Sequence, residues 1–259
     1  EKVNIFDEER LRTLIKNSDV VINLIGILHE TKKQKFEDIH VKFPDLLSKL
    51  CSVLNIEKLV HVSALGIKET VSSQYMQSKL KGEKNIINNF DRSVILRPSV
   101  IFGPEDKFFN QFASIAEFFP ALPLIGGGLT YFQPIYVGDV AKSIVSILEK
   151  EEINNNIYEL GGPQTFTFKE LMKILLKEIN KKRFLVPIPF LFAKFQAKIL
   201  QLLPKPLLTT DQVEMLKYDN IVTNKYPTLK DLKINPKTIE SILPNYIWRF
   251  RKGGQFAKL

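Results

Sequence analysis

A single cysteine stands in 259 residues. Cys51 sits in an apolar helical run and has no partner for an internal disulfide, so a disulfide scaffold is excluded and a buried thiol in a reducing compartment is expected. No uncharged apolar run reaches the roughly 18 residues that a membrane-spanning helix needs. No internal repeat or low-complexity segment occurs, no RNA- or DNA-binding motif is present, and no metal site is expected. Glycine is sparse near the start, and no G-x-x-G-x-x-G turn follows Glu1-Lys2-Val3-Asn4-Ile5, which reads as the tail of a strand.

Hydrophobic residues make up 44% of the chain and charged residues 25%. That is ordinary globular composition, enough to bury one α/β domain with a small appendage. The formal charge of +9 points to acidic partners: phosphates, anionic lipid or an acidic protein face. Apolar runs alternate with helical patterns. Asp7 caps a short helix over Glu8–Lys16. Val20 to Gly26 (VVINLIG) is continuous and apolar, as a central parallel strand covered on both faces would be. Phe36 to Leu54 is helical, with Leu46, Leu47, Leu50 and Val53 as its stripe and Pro44 as a kink or start. Leu59–Val62, Ser93–Leu96 and Ile157–Leu160 are further buried strands. Phe108, Phe109, Phe112, Phe118 and Phe119 read as core or lid. Gly126-Gly127-Gly128 precedes a strand-like run, so it reads as a turn and not as a phosphate cradle. Asp139 caps the helix to Leu148, and Thr167 with Glu170 forms a capping box.

The chemistry concentrates between Leu59 and Glu83 (LVHVSALGIKETVSSQYMQSKLKGE). Ser63 ends a strand, and a helix opens near Ser73. Tyr75 and Lys79, four apart on that helix, share one face. A phenol has a reference pKa of about 10, and an ammonium beside it favours the phenolate. Ser63 can donate to a carbonyl of the same substrate. The three together suit moving a proton on and off an oxygen while hydride moves elsewhere.

At these residues the chain resembles the extended and atypical short-chain dehydrogenase/reductases. Within them it looks most like the nucleotide-binding accessory subunit of respiratory complex I and its alphaproteobacterial relatives. The runs that carry this are VVINLIGIL, FEDIHVKFP, KLVHVSALG, SSQYMQSKLKGEK, VILRPSVIFGPEDKFFNQFA, PALPLIGGG, QPIYVGDVA, YELGGP, LLTTDQVEML and YIWRFRKGGQF. The resemblance implies NADP(H) or NAD(H) as ligand. It places Asn23, Leu24, Ile25 and Gly26 along the ribose and adenine side, and Asn4 and Ile5 at the adenine border. It sets Tyr75 and Lys79 at the ribose and Pro98, Ser99 and Val100 around the nicotinamide. His40 falls where many relatives carry an asparagine that holds a proton-relay water, so the full relay is in doubt. Such a fold begins with a strand, a Gly-rich turn and a helix, which leads to the expectation that the amino terminus is missing.

The expected fold is therefore a Rossmann-like, doubly wound parallel sheet over residues 1–161, short of its first unit, with a small mainly helical domain over 162–259. In that second part Val186 to Leu203 is strongly apolar, with Lys194 and Lys198 four apart. It reads as a docked amphipathic helix or as a surface that meets a membrane or a partner protein. Trp248 and Phe250 between arginines suggest an anchoring strap. Two functions stand side by side. One is a dinucleotide that stiffens a subunit docked on complex I, peripheral on the inner face of a bacterial membrane or on the mitochondrial matrix side. The other is an oxidoreductase, epimerase or dehydratase with Tyr75 as acid/base, Lys79 lowering its pKa and Ser63 orienting the carbonyl.

Overall fold

The strands, in chain order, are β1 (Val20–Asn23), β2 (Lys58–Val62), β3 (Ser93–Pro98), β4 (Ile101–Phe102), β5 (Ala121–Ile125), β6 (Tyr131–Phe132), β7 (Ile135–Tyr136), β8 (Ile157–Leu160), β9 (Phe166–Thr167) and β10 (Phe184–Ile188). The longer helices are α1 (Glu8–Ile15), α2 (Phe43–Val53), α3 (Gln74–Asn89), α4 (Phe109–Phe118), α5 (Val137–Leu148), α6 (Phe168–Glu178), α7 (Phe190–Leu200) and α8 (Thr210–Met215). This computed structural model describes residues 3–69, 71–150, 157–203 and 206–256.

The main sheet runs β1-β2-β3-β8, every pair parallel. Alternation along the strands sorts side chains onto two faces. Leu59 and Ile95 pack with Leu47, Leu50, Cys51 and Ile86 from α2 and α3. Val60, Val94 and Leu96 pack on the other face with Val140 and Ile147 of α5 and with Leu229 and Leu232. Helices thus cover both faces, the doubly wound Rossmann-like arrangement expected.

Several local expectations are corrected. Among the described strands β1 is outermost on its side of the sheet, and Ile22 is 41% exposed. The run from Lys2 to Ile5 gives no strand over its described part, Lys2 lying outside the described residues. Instead, Asn4 accepts the Phe6 N–H on its side chain and the Asp7 N–H on its carbonyl, a turn that leads into α1. The segment Glu37–Lys42 before α2 is π-helical and continues into α2 across Pro44. Val53 faces solvent, while Phe43, Leu47, Leu50 and Cys51 carry the buried stripe of α2. Asp139 is not the cap of α5 but a buried first-turn residue that accepts the Lys237 N–H at 2.7 Å. Gly126–Gly128 is a turn between β5 and β6, each glycine at positive φ.

A second core joins Phe102, Phe109, Leu122 and Phe132 to Phe168, Leu171, Leu175 and Leu243. Residues after 162 therefore pack on the 102–132 segment, and β10 pairs in parallel with β5. Phe118 and Phe119 lie outside this core and are exposed. The strap is present: Tyr246 Oη donates to Asp106 at 2.6 Å, and Arg251 pairs with Glu178 at 3.2 Å. Helix α7 docks through Ala193 and Ala197, four apart, and leaves Leu191, Phe192, Phe195 and Ile199 to solvent.

Candidate functional site at the carboxyl ends of the sheet

Helix α3 presents one stripe inward: Tyr75, Lys79, the neighbours Gly82 and Glu83, and Ile86 are buried at a helical period. Gly82 sets how closely it packs. A Cβ there would lie 1.9 Å from the His40 carbonyl oxygen, so α3 meets the π-helical segment at a point where only glycine fits. Arg97 of β3 fixes the same helix to the sheet with a forked, buried pair to Glu83, Nε at 3.1 Å and Nη2 at 2.5 Å.

This packing brings Lys79 to the strand tips. Its Nζ donates to the Val62 carbonyl at 3.3 Å and lies 3.1 Å from where a Gly26 Cβ would stand. Burial lowers the ammonium pKa to about 8, with Glu83 opposing. Ser63 follows β2 directly, its N–H donating to Leu96 O at 2.7 Å. Its hydroxyl is buried and has no hydrogen-bond partner among the described residues. A buried, unpartnered hydroxyl costs free energy unless something accepts from it, so it is a ready donor to a ligand oxygen.

Tyr75 is buried edge-on to the rings of Phe36 and His40, at centroid distances of 5.8 and 5.4 Å. Burial, and next the Asp211 carboxylate, push its pKa up to about 12. The expectation that Lys79 lowers the phenol pKa is thus corrected: burial and the Asp211 carboxylate both raise it. Two surface cavities lie elsewhere, one among Gln133, Gly161 and Lys233, the other among Arg97, Glu83 and Tyr226.

The β1 tip is organised from within. Asn23 Oδ1 accepts the Ile25 N–H at 3.0 Å, and its Nδ2 meets His61 Nδ1 at 2.9 Å. Leu24 and Ile25 are left exposed beyond the strand. His40 Nε2 accepts the Ile27 N–H at 3.1 Å, which assigns the proton to Nδ1, facing Ser78 Oγ at 2.9 Å. Burial, then Lys79, lowers its pKa to about 3. With both nitrogens engaged and no charge near neutrality, His40 is a brace for the Gly26–Ile27 turn and not a relay.

At β3 the expectations hold in place but not in role. Pro98 is the last residue of β3, where it pairs with Leu160, and its carbonyl accepts the Leu65 N–H at 2.9 Å. Ser99 Oγ donates to Asn220 Oδ1 at 2.6 Å, and the Val100 N–H reaches the same oxygen at 3.1 Å. Those donors are spent inside the chain and not left for a ligand. Asn4 and Ile5 stand at the start of α1, outside this cluster. Sequence reasoning missed His61, Asp211 and Asn220. Asp211 lies in the LLTTDQVEML run, but its partners are more than 130 positions away in the chain.

Among the described residues no helix is long and apolar enough to cross a membrane. The model of the NAD dependent epimerase/dehydratase family matches residues 1–161. The chain is 33% identical over 90% of its length to mouse NADH dehydrogenase [ubiquinone] 1 alpha subcomplex subunit 9, mitochondrial, and 32% identical over 96% to the Arabidopsis thaliana protein of that name. It spans 62% and 64% of those two relatives. The protein of the same name from Dictyostelium discoideum is 30% identical over 98% of this chain and 72% of its own. Among solved structures, dTDP-glucose 4,6-dehydratase from Bacillus anthracis in complex with NAD superposes with a TM-score of 0.69 at 19% identity, covering 95% of this chain and 77% of that one.

Proposed function

The chain belongs to the NAD dependent epimerase/dehydratase family, and from that premise we propose that it binds NAD(H) or NADP(H) as a structural ligand within respiratory complex I. The carrying observation is the state of Tyr75. Its phenol is walled by Phe36 and His40 and held near pKa 12. Burial disfavours the phenolate that a general base would have to form, while the binding residues stay in place. Lys79 and the unpartnered Ser63 hydroxyl supply donors at the strand ends, and Gly26 is the close-approach point beside them. These residues fit a dinucleotide lying over the tips of β1 and β2: Asn23 to Gly26 on the ribose and adenine side, Tyr75 and Lys79 at the second ribose, and Pro98 to Val100 as the wall at the nicotinamide end. The bound group would supply hydride chemistry in an active relative. In this chain its part is to cover the strand tips beside α3.

The named relatives, mitochondrial NADH dehydrogenase subunits, support the complex I assignment; a place at the membrane surface, on the matrix or cytoplasmic side, belongs to the same proposal. The exposed face of α7 supports peripheral contact with an anionic membrane. No acidic residue occurs between Glu178 and Asp211, while Lys181, Lys182, Arg183, Lys194, Lys198 and Lys205 do. Residues 1–161 are the dinucleotide-binding part, and 162–259 carry the docking surface.

The second reading, an active oxidoreductase, epimerase or dehydratase, is favoured by one observation: Ser63, Tyr75 and Lys79 are all present at the strand ends. Tyr75→Phe separates the two. A structural ligand predicts that NADPH or NADH fluorescence titrates with wild type and variant alike in kind, the variant losing at most the ribose contact of one hydroxyl, and that neither turns over a sugar nucleotide or carbonyl substrate. Turnover by wild type that disappears in Tyr75→Phe, with binding kept, would establish the enzyme instead.

A further inference from the structure

The first turn of α3 is held by a residue from far along the chain. An α-helix leaves its first four N–H groups without internal partners. In α3 the Gln74 and Tyr75 N–H groups donate to Asp211, at 2.7 and 3.1 Å, one to each carboxylate oxygen. The Met76 N–H goes to Ser73 Oγ at 3.3 Å and the Gln77 N–H to Ser73 O at 3.0 Å. Ser73 Oγ in turn donates to Asp211 at 2.9 Å. One carboxylate therefore satisfies two helix donors directly and orients the cap that satisfies the others. Asp211 is not needed for this by its own helix, whose box is closed by Thr209 and Gln212.

The same segment reaches the other site elements. Ser72 Oγ donates to Glu214 at 2.6 Å. Asn220 Nδ2 donates to Leu65 O at 2.9 Å, beyond Ser63, while Asn220 Oδ1 takes the donors of Ser99 and Val100. Helix α8 is itself tied to α7 through Lys194 and Glu214, 3.8 Å apart. One stretch, Thr209 to Asn220, touches the helix with Tyr75 and Lys79, the loop after β2 and the end of β3.

We propose that Asp211 is a positioning residue of the dinucleotide site, supplied by the carboxyl-terminal part to hold the α3 turn from which Tyr75 and Lys79 project. This rests on the dinucleotide reading above. Losing the carboxylate frays that turn and withdraws both side chains from the tips of β1 and β2.

Three measurements on the whole chain test it. Asp211→Ala, with its circular dichroism unchanged, weakens NADPH binding about tenfold by fluorescence titration, the scale of a lost helix cap and its ligand contacts. Amide exchange at Gln74 and Tyr75 speeds up in the same variant. Asp211→Asn keeps an acceptor for the Gln74 N–H and restores most of the affinity, and it covers the case in which the alanine variant fails to fold. The carboxamide also removes a charge facing the phenol. The neutral His40 ring faces Tyr75 from the π-helical segment, and Lys79 stands one turn along α3, so the Tyr75 resonance of carbon-13-labelled tyrosine ionises at lower pH in Asp211→Asn than in wild type. A purely structural part for Asp211 would lower the unfolding midpoint of Asp211→Ala and leave its NADPH affinity as in wild type. Wild-type NADPH affinity in Asp211→Ala, or an unmoved Tyr75 titration in Asp211→Asn, overturns the proposal. If wild type itself binds no dinucleotide, the earlier reading falls, and amide exchange and the phenol titration still decide whether Asp211 positions Tyr75.

Discussion

At the scale of single residues, the buried histidines make the molecule sensitive to acid. Unfolded, both imidazoles take up a proton near pH 6.5. Folded, His40 stays neutral down to about pH 3, and His61, buried against Asn23 with Lys79 nearby, is also held well below its ordinary range. Between those values the unfolded chain binds protons that the folded chain refuses, so stability is lost as the pH is lowered below about 6.5, by about 1.4 kcal/mol per pH unit for each histidine. Urea midpoints measured from pH 7 to 5 should drop along this slope, and His40→Asn should reduce the slope by one histidine's share. A flat profile would contradict the assignment of neutral, braced imidazoles. Ser63, Tyr75 and Lys79 were legible in the sequence because helical spacing and a strand end fix where they point. The surroundings of the phenol were not. Asp211 reaches Tyr75 across 136 positions, and burial, which decides the sign of the pKa shift, is a property of tertiary packing.

At the scale of elements, α3 is positioned by three devices: the Asp211 cap, the Gly82 contact and the Arg97–Glu83 pair. The last is the most exacting, because both groups are almost fully buried. Removing one partner leaves an uncompensated charge inside, at a cost of about 3–5 kcal/mol. Arg97→Ala should lower the urea midpoint accordingly, and a shift no larger than that of a surface ion pair would show that the fork does not hold the helix. The strands β2, β3 and β8 and the boxes at α6 could be read from apolar runs and cap residues, since these are local. β1 was found as an apolar run, and among the described residues it pairs with β2 alone. Helix α7 shows the reverse case. Its apolar sequence fits docking, yet only the alanines are buried. Replacing Phe192 and Phe195 by serine should leave the fold unchanged and abolish binding to vesicles of phosphatidylcholine and phosphatidylglycerol in equal parts. Vesicle binding that survives the change would remove the membrane assignment of this face.

At the scale of the whole molecule, the two parts are joined through the site. The sheet supplies the strand tips, and the carboxyl-terminal part supplies Asp211 and Asn220, so a ligand over the tips braces both. A ligand that binds only the folded chain raises its stability in proportion to the logarithm of its concentration over Kd, about 2.7 kcal/mol at a hundredfold excess over Kd. The most direct measurement is therefore a thermal unfolding series of wild type and Tyr75→Phe with NADPH and with NADH. A structural dinucleotide predicts that at least one of the two raises the unfolding temperature by several degrees and does so in both proteins. No rise with either nucleotide would contradict it.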